Sequence, residues 1–100
     1  MHVDLSVDPS KEAEMVRYFK TVYRPAARKF RGYVDLRLLK LRAALLGSAP
    51  PGMAYRFSIT YTSEELRQKW VASDVHQVVW GAFEKFLSSS SYDFLLFEVI

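Results

Sequence analysis

His76 and Trp80 stand four residues apart in the stretch SDVHQVVW, a spacing that places them on one side of a helix, one turn from each other. Histidine is the side chain best suited to taking a proton near neutral pH. An indole beside it offers a flat apolar surface on which an aromatic ligand can stack. Such a pair suits removal of a phenolic or activated C–H proton. The same residue types also fill half-buried packing positions, so His76 is read both as a packing residue and as a candidate base. His2 and Asp4 form a second pair, on one face of an alternating N-terminal segment. They too could act as a general base, although a residue beside the terminus is prone to fray. A metal held by His2, Asp4 and His76 would lack ligands at any recognisable spacing, and no metal is expected. No Gly-rich phosphate loop and no Ser-His-Asp arrangement occurs.

The elements that must position these residues follow from periodicity. HVDLSV alternates Val3, Leu5 and Val7 with His2, Asp4 and Ser6, the pattern of a strand with two different faces. Asp8 and Pro9 open a helix. Its apolar positions, among them Met15, Phe19, Tyr23, Ala27 and Phe30, recur at helical spacing through residues 10–30, with Pro25 expected to kink or divide it and Gly32 to stop it. YVDLRLLKLR reads as a second strand, ALLGSAPPGM as a loop and AYRFSITYT as a third strand. In that third strand Tyr55, Phe57, Ile59 and Tyr61 share one face and Arg56, Ser58, Thr60 and Thr62 the other. The polar face, with His2 and Asp4, is expected to line a small cavity under the helices, and the aromatic row to point outward.

Thr62 and Glu65 are spaced as a capping box, and Ser73 and Asp74 offer a second cap. The region therefore divides into a short helix with Leu66 and Trp70 and a longer one running to about Leu87. On the longer helix Val75, Val78, Val79, Ala82, Phe83, Phe86 and Leu87 form the expected apolar face, with His76 and Trp80 at its flank. Trp70 is expected to be structural, and His76 and Trp80 to border whatever pocket exists. SSSS reads as a turn and YDFLLFEVI as a closing strand apolar on both faces. The order β-α-β-β-α-β folds as an α+β, ferredoxin-like domain, a four-stranded antiparallel sheet with helices on one face.

A chain of 100 residues forms one domain, 1–100, with one core. Half of it is hydrophobic, more apolar surface than a small monomer hides, so a homodimer is expected, with the two-faced final strand facing a second copy. The absence of cysteine excludes disulfides, thiolate chemistry and a Cys-type zinc site. MHVDLSVDP lacks the basic and apolar regions of a signal peptide, and no apolar run is long enough to span a bilayer, so a cytoplasmic protein without membrane association is expected. Arg24, Arg28, Lys29, Arg31, Arg37, Lys40 and Arg42 face one acid, Asp35, in the same stretch. Such a stripe can attract anions, but it is read here as a solvated face at a helix end, where cations suit the macrodipole. The RNA-recognition motif shares this element order, but here Met53 stands for its first stacking aromatic and HVDLSV carries none, so nucleic acid is not an expected partner.

FRGYVDLRLLKLR and ITYTSEELRQKWVASDVHQ, with the order of elements, resemble the antibiotic-biosynthesis-monooxygenase-like family of the dimeric α+β barrel superfamily. The resemblance implies a homodimeric barrel and a cofactor-independent monooxygenase acting on aromatic or polyketide-like compounds. The alternatives are a non-catalytic ligand-binding or regulatory dimer and an accessory protein whose dimer interface is its whole purpose. Haem-degrading relatives carry a Trp and a His where this chain has Tyr61 and Trp80, so the resemblance implies no haem and no other cofactor. If the chemistry is oxygenation, His76 or His2 would be the proton acceptor, Tyr61 and Trp80 would hold a flat aromatic or hydrophobic ligand, and Asp4 and Arg37 complete the substrate-binding candidates.

Overall fold

Strand β1 (His2–Leu5) leads into a turn of 3-10 helix (Pro9–Lys11), in which the Asp8 carboxylate accepts from the Ser10 amide at 3.0 Å. The computed structural model describes residues 1–48, 54–88, 92–98 and 100. Helix α1 (Glu12–Tyr18) continues through a π-helical turn (Phe19–Tyr23) into α2 (Arg24–Arg28). The expected disturbance at Pro25 is that π-turn: a proline ring crowds the carbonyl four residues back, here Thr21, and widening the helix makes room for it. β2 (Tyr33–Lys40), β3 (Tyr55–Tyr61), α3 (Glu64–Ala72), α4 (Asp74–Glu84) and β4 (Phe94–Leu95) follow. The strands lie in the order β2-β3-β1-β4, with every pairing antiparallel. This is the ferredoxin-like arrangement.

The sheet's two faces are the reverse of the sequence expectation. Val3 and Leu5 of β1, Leu36 of β2 and the whole row Tyr55, Phe57, Ile59 and Tyr61 of β3 are buried beneath the helices. His2, Asp4, Arg37, Arg56 and Ser58 lie on the open face, set by the pairings His2↔Ser58, Asp4↔Arg56 and Arg37↔Ser58. The reason is apolar area. Helices that cover three aromatic rings and an isoleucine remove far more hydrocarbon from water than helices laid over Arg, Ser and Thr.

Several element ends also move. Ser63, not Thr62, caps α3, accepting from the Leu66 amide at 3.2 Å. Helix α4 stops at Glu84, and Leu87 instead bridges Val7, tied by the Asp8 amide to the Phe86 carbonyl at 3.1 Å. β4 is only two residues long, because its register with β1 (Phe94↔Val3, Leu95↔His2) carries the chain past the end of β1, leaving Leu96 and Phe97 exposed. The Pro-Pro-Gly loop expected at 50–52 and all but the first serine of the SSSS turn lie outside the described residues.

Trp70 sits at the centre of the core, 1% exposed, with its ring against Phe30 (5.4 Å between centroids), His76 (5.1 Å) and Tyr23 (6.2 Å). Gly32 makes the close approach of α3 to the sheet feasible. Its φ is +90°, and a Cβ there would lie 2.6 Å from Leu66 Cδ1, a conformation and a space that only glycine fits. Truncating Trp70 to Ala is expected to lower unfolding free energy by about 3–5 kcal/mol. Val78→Ala, at a site 71% exposed, is expected to stay within about 0.5 kcal/mol of wild type. Urea titration of both variants measures the contrast; similar losses would show that Trp70 is not a core anchor.

Candidate functional site

Ser73 joins the two later helices. Its hydroxyl donates to the Trp70 carbonyl at the end of α3 (2.6 Å) and accepts from the His76 amide in the first turn of α4 (3.2 Å). A side chain that caps one helix while closing the previous one sets the angle between them. From that cap, α4 turns His76, Val79, Trp80 and Phe83 inward, a stripe at the i, i+3, i+4, i+7 spacing. His76 and Trp80 therefore lie at the centre of the buried face and not at its flank, while Val75 and Val78 are exposed. The wide rings bury more surface than the valines would, which decides the rotation of the helix.

A cleft of about 300 Å³ opens between α3, α4 and the sheet. Its wall is mainly aromatic: Trp80, Tyr23, Phe57 and Phe94, with His76 set among them and Arg67 lining it from α3. The His76 ring stacks on Trp80 (centroids 6.1 Å apart, planes within 10°) and meets Tyr23 edge-on at 6.3 Å. Trp80 is held in turn by its Nε1, which donates to the Tyr92 hydroxyl at 3.1 Å. His76 is 8% exposed, and its buried Nδ1 has no hydrogen-bond partner among the described residues. A buried polar atom left unpaired is destabilising; Nδ1 of His2, Nε of Arg24 and Nε1 of Trp70 are likewise buried without a partner among the described residues.

Burial pushes the His76 pKa below the ordinary histidine value; the Val71 carbonyl, which favours the charged form, offsets only part of this. The imidazole is thus neutral at pH 7 and able to accept a proton. Burial also raises the Tyr23 hydroxyl, so that phenol stays protonated.

The other expected site residues lie elsewhere. His2, Asp4 and Arg37 are on the opposite face of the sheet from His76. Asp4 is paired there with Arg56, whose Nε donates to it at 2.8 Å, and Arg37 with Asp35 at 2.6 Å. His2 packs its ring on Phe97 at 4.7 Å, and its pKa is lowered by burial and by the nearby Arg56. Tyr61 faces the helices but outside the cleft, beside Phe30 and Tyr33, with its hydroxyl 3.5 Å from the Ala27 carbonyl. Of the expected set, the cleft holds His76 and Trp80. Arg67, Gln77 and Phe94 join them. Arg67 was hidden in the sequence because a Glu three residues earlier makes it look like one half of a surface pair, and only the fold brings Phe94 across to Trp80 (6.1 Å). Among the described residues no group of three or more His, Asp or Glu side chains could hold a metal ion, and no helix is long and apolar enough to cross a membrane.

No protein-family model matches the chain, and no curated protein matches it in sequence. Solved structures share its fold. A dimeric ferredoxin-like protein of unknown function from Jannaschia sp. CCS1 superposes with a TM-score of 0.77 at 16% identity, over 98% of this chain and 95% of that one. A candidate antibiotic biosynthesis monooxygenase from Caulobacter crescentus CB15 gives 0.67 at 16% identity, over 95% and 86%. An EthD family protein from Bacillus halodurans C-125 gives 0.63 at 14% identity, over 95% and 96%. The fold is therefore that of the ferredoxin-like α+β proteins, the architecture to which the sequence resemblance also led.

The lowered His76 pKa has a measurable consequence for stability. The unfolded chain binds a proton at this position more readily than the folded one, so stability is expected to fall as the pH drops below 6.5 and to stop falling below the folded value. His2 is shifted in the same direction. Urea unfolding between about pH 7.5 and about pH 5.5 should show wild type losing stability on acidification and His76→Phe losing less. Equal slopes would mean that His76 titrates in the folded protein as it does in the unfolded one.

Proposed function

We propose that this protein is a homodimer that binds a small aromatic compound in the cleft between α3, α4 and the sheet and oxygenates it without a cofactor. The observation that carries the reading is a histidine, His76, set among Trp80, Tyr23, Phe57 and Phe94 in the wall of the cleft. Trp80 stacks the ligand, and neutral His76 takes the proton from a phenol or from an activated ring C–H. Loss of that proton leaves a resonance-stabilised carbanion or phenolate, which passes electrons to dioxygen. For a ring methylene, one oxygen atom is retained as the carbonyl and the other leaves as water with the two hydrogens. The fold-level likeness to the Caulobacter protein supports this class of reaction.

The dimer reading rests on the open face and on the tail beyond it. Leu39 and Leu95 lie on that face by their pairing, Phe97 lies over His2, and all three are exposed. The charged residues between them are already paired, Asp4 with Arg56 and Asp35 with Arg37, which lowers the penalty of covering them. The Jannaschia protein of the same fold is dimeric. A second copy laid sheet to sheet would cover these side chains and close a barrel. Sedimentation equilibrium at micromolar concentration is expected to give twice the chain mass, and Phe97→Glu to shift it toward the monomer; a wild-type monomer would end the dimer reading.

A non-catalytic ligand-binding dimer uses the same cleft without the oxygenation step, and one measurement separates the two. Oxygen uptake with anthrone or hydroquinone substrates is expected to fall by about 10²–10⁴ in His76→Phe, while binding persists through Trp80. Binding without oxygen uptake in wild type would select the non-catalytic reading.

A further inference from the structure

The cleft carries a charged group, Arg67, besides His76 and Gln77. Arg67 turns Nε and Nη2 onto the carboxylate of Glu64, which fixes the plane of its guanidinium. Its Nη1 is left to the thioether sulfur of Met1, at 3.3 Å. A thioether is a weak acceptor, so this donor is close to unspent in a side chain only 18% exposed. An oxygen anion is the group that displaces a sulfur from a guanidinium most readily. The Glu64 pairing leaves that donor in place while preventing the guanidinium from swinging out to solvent.

Resting on the reading of the cleft as a ligand site, we infer that its ligand is an aromatic acid of one or two rings, its carboxylate taken by Arg67 Nη1 and its rings laid against Trp80 and His76. Three observations meet in this assignment. The wall is aromatic, which selects a flat ring. The polar lining holds His76, Gln77 and Arg67, and Arg67 Nη1, partnered by a thioether, calls for an anionic acceptor. The volume, about 300 Å³, stands at the lower end of the range of about 300–1,000 Å³ for small-molecule sites, which suits one or two fused rings and not a four-ring polyketide. The Met1 sulfur supplies a soft, displaceable neighbour.

The test is isothermal titration calorimetry of the full chain with three probes: a hydroxynaphthoate, its methyl ester and naphthol. The acid is expected to bind about tenfold more tightly than the ester, the advantage of one charge-assisted hydrogen bond. Arg67→Gln should erase that preference, weakening the acid far more than the ester, while Arg67→Lys should retain part of it. His76→Phe keeps a ring in the wall and should leave the preference for acid over ester in place. If Arg67→Gln fails to fold, raising the salt concentration with wild type serves instead, and acid binding alone should weaken. Equal binding of acid and ester by wild type would overturn the anion assignment and leave the aromatic cleft standing. Failure of all three probes to bind would overturn the cleft reading itself.

Discussion

Tyr55, Phe57, Ile59 and Tyr61 alternate along β3 with Arg56, Ser58 and Thr60, and the helices cover the first set. Everything else in the molecule follows from that choice of face. Because side chains alternate strictly along a strand, burying Phe57 and Ile59 commits the paired residues of β1 and β2 as well. Val3 and Leu36 go inward beside them, and His2, Asp4 and Arg37 go outward. A single parity thus separates the two histidines of the chain by the thickness of the sheet, and it leaves His76 as the histidine that meets the cleft.

The helices answer the same row. Phe57 meets Phe19, Tyr23, Trp80 and Phe83, several of them edge to face, and Tyr23 links this group onward to Trp70 and His76. Edge-to-face contacts between rings are directional, so the cluster does more than fill space. It fixes the rotation of α4 and with it the direction of His76. The imidazole occupies what is otherwise an aromatic packing position, which explains both its neutral state and its unpaired nitrogen. A residue can be part of the core and of a site at once when the core has an opening beside it, and the cleft beside Trp80 is that opening.

The open face of the sheet and the helix-covered face divide the chemistry between them. The covered face holds His76, whose charged form burial disfavours. The open face holds paired charges bordered by exposed Leu39, Leu95 and Phe97. Phe94 and Leu95, neighbours in β4, serve these two faces separately, Phe94 toward Trp80 and Leu95 toward the open side. That is why the final segment reads as apolar on both sides.

The order of elements was legible in the sequence because local patterns carry it. Alternation in HVDLSV and AYRFSITYT, helical spacing through 10–30, the second cap at Ser73 and the glycine at position 32 each depend on near neighbours only. Trp70 as a core anchor was legible for the same reason. Which face of the sheet the helices would cover was not, since alternation separates two sets of residues without saying which is inside. The rotation of α4 was equally open, because seven apolar side chains and two large polar-tipped rings compete for one buried stripe, and the contest is decided by the total area buried against β3 and α1. The cleft and the arrival of Arg67 in its wall come from α3, α4 and the sheet meeting at one place. No local pattern encodes such a meeting, so only the tertiary structure decided it.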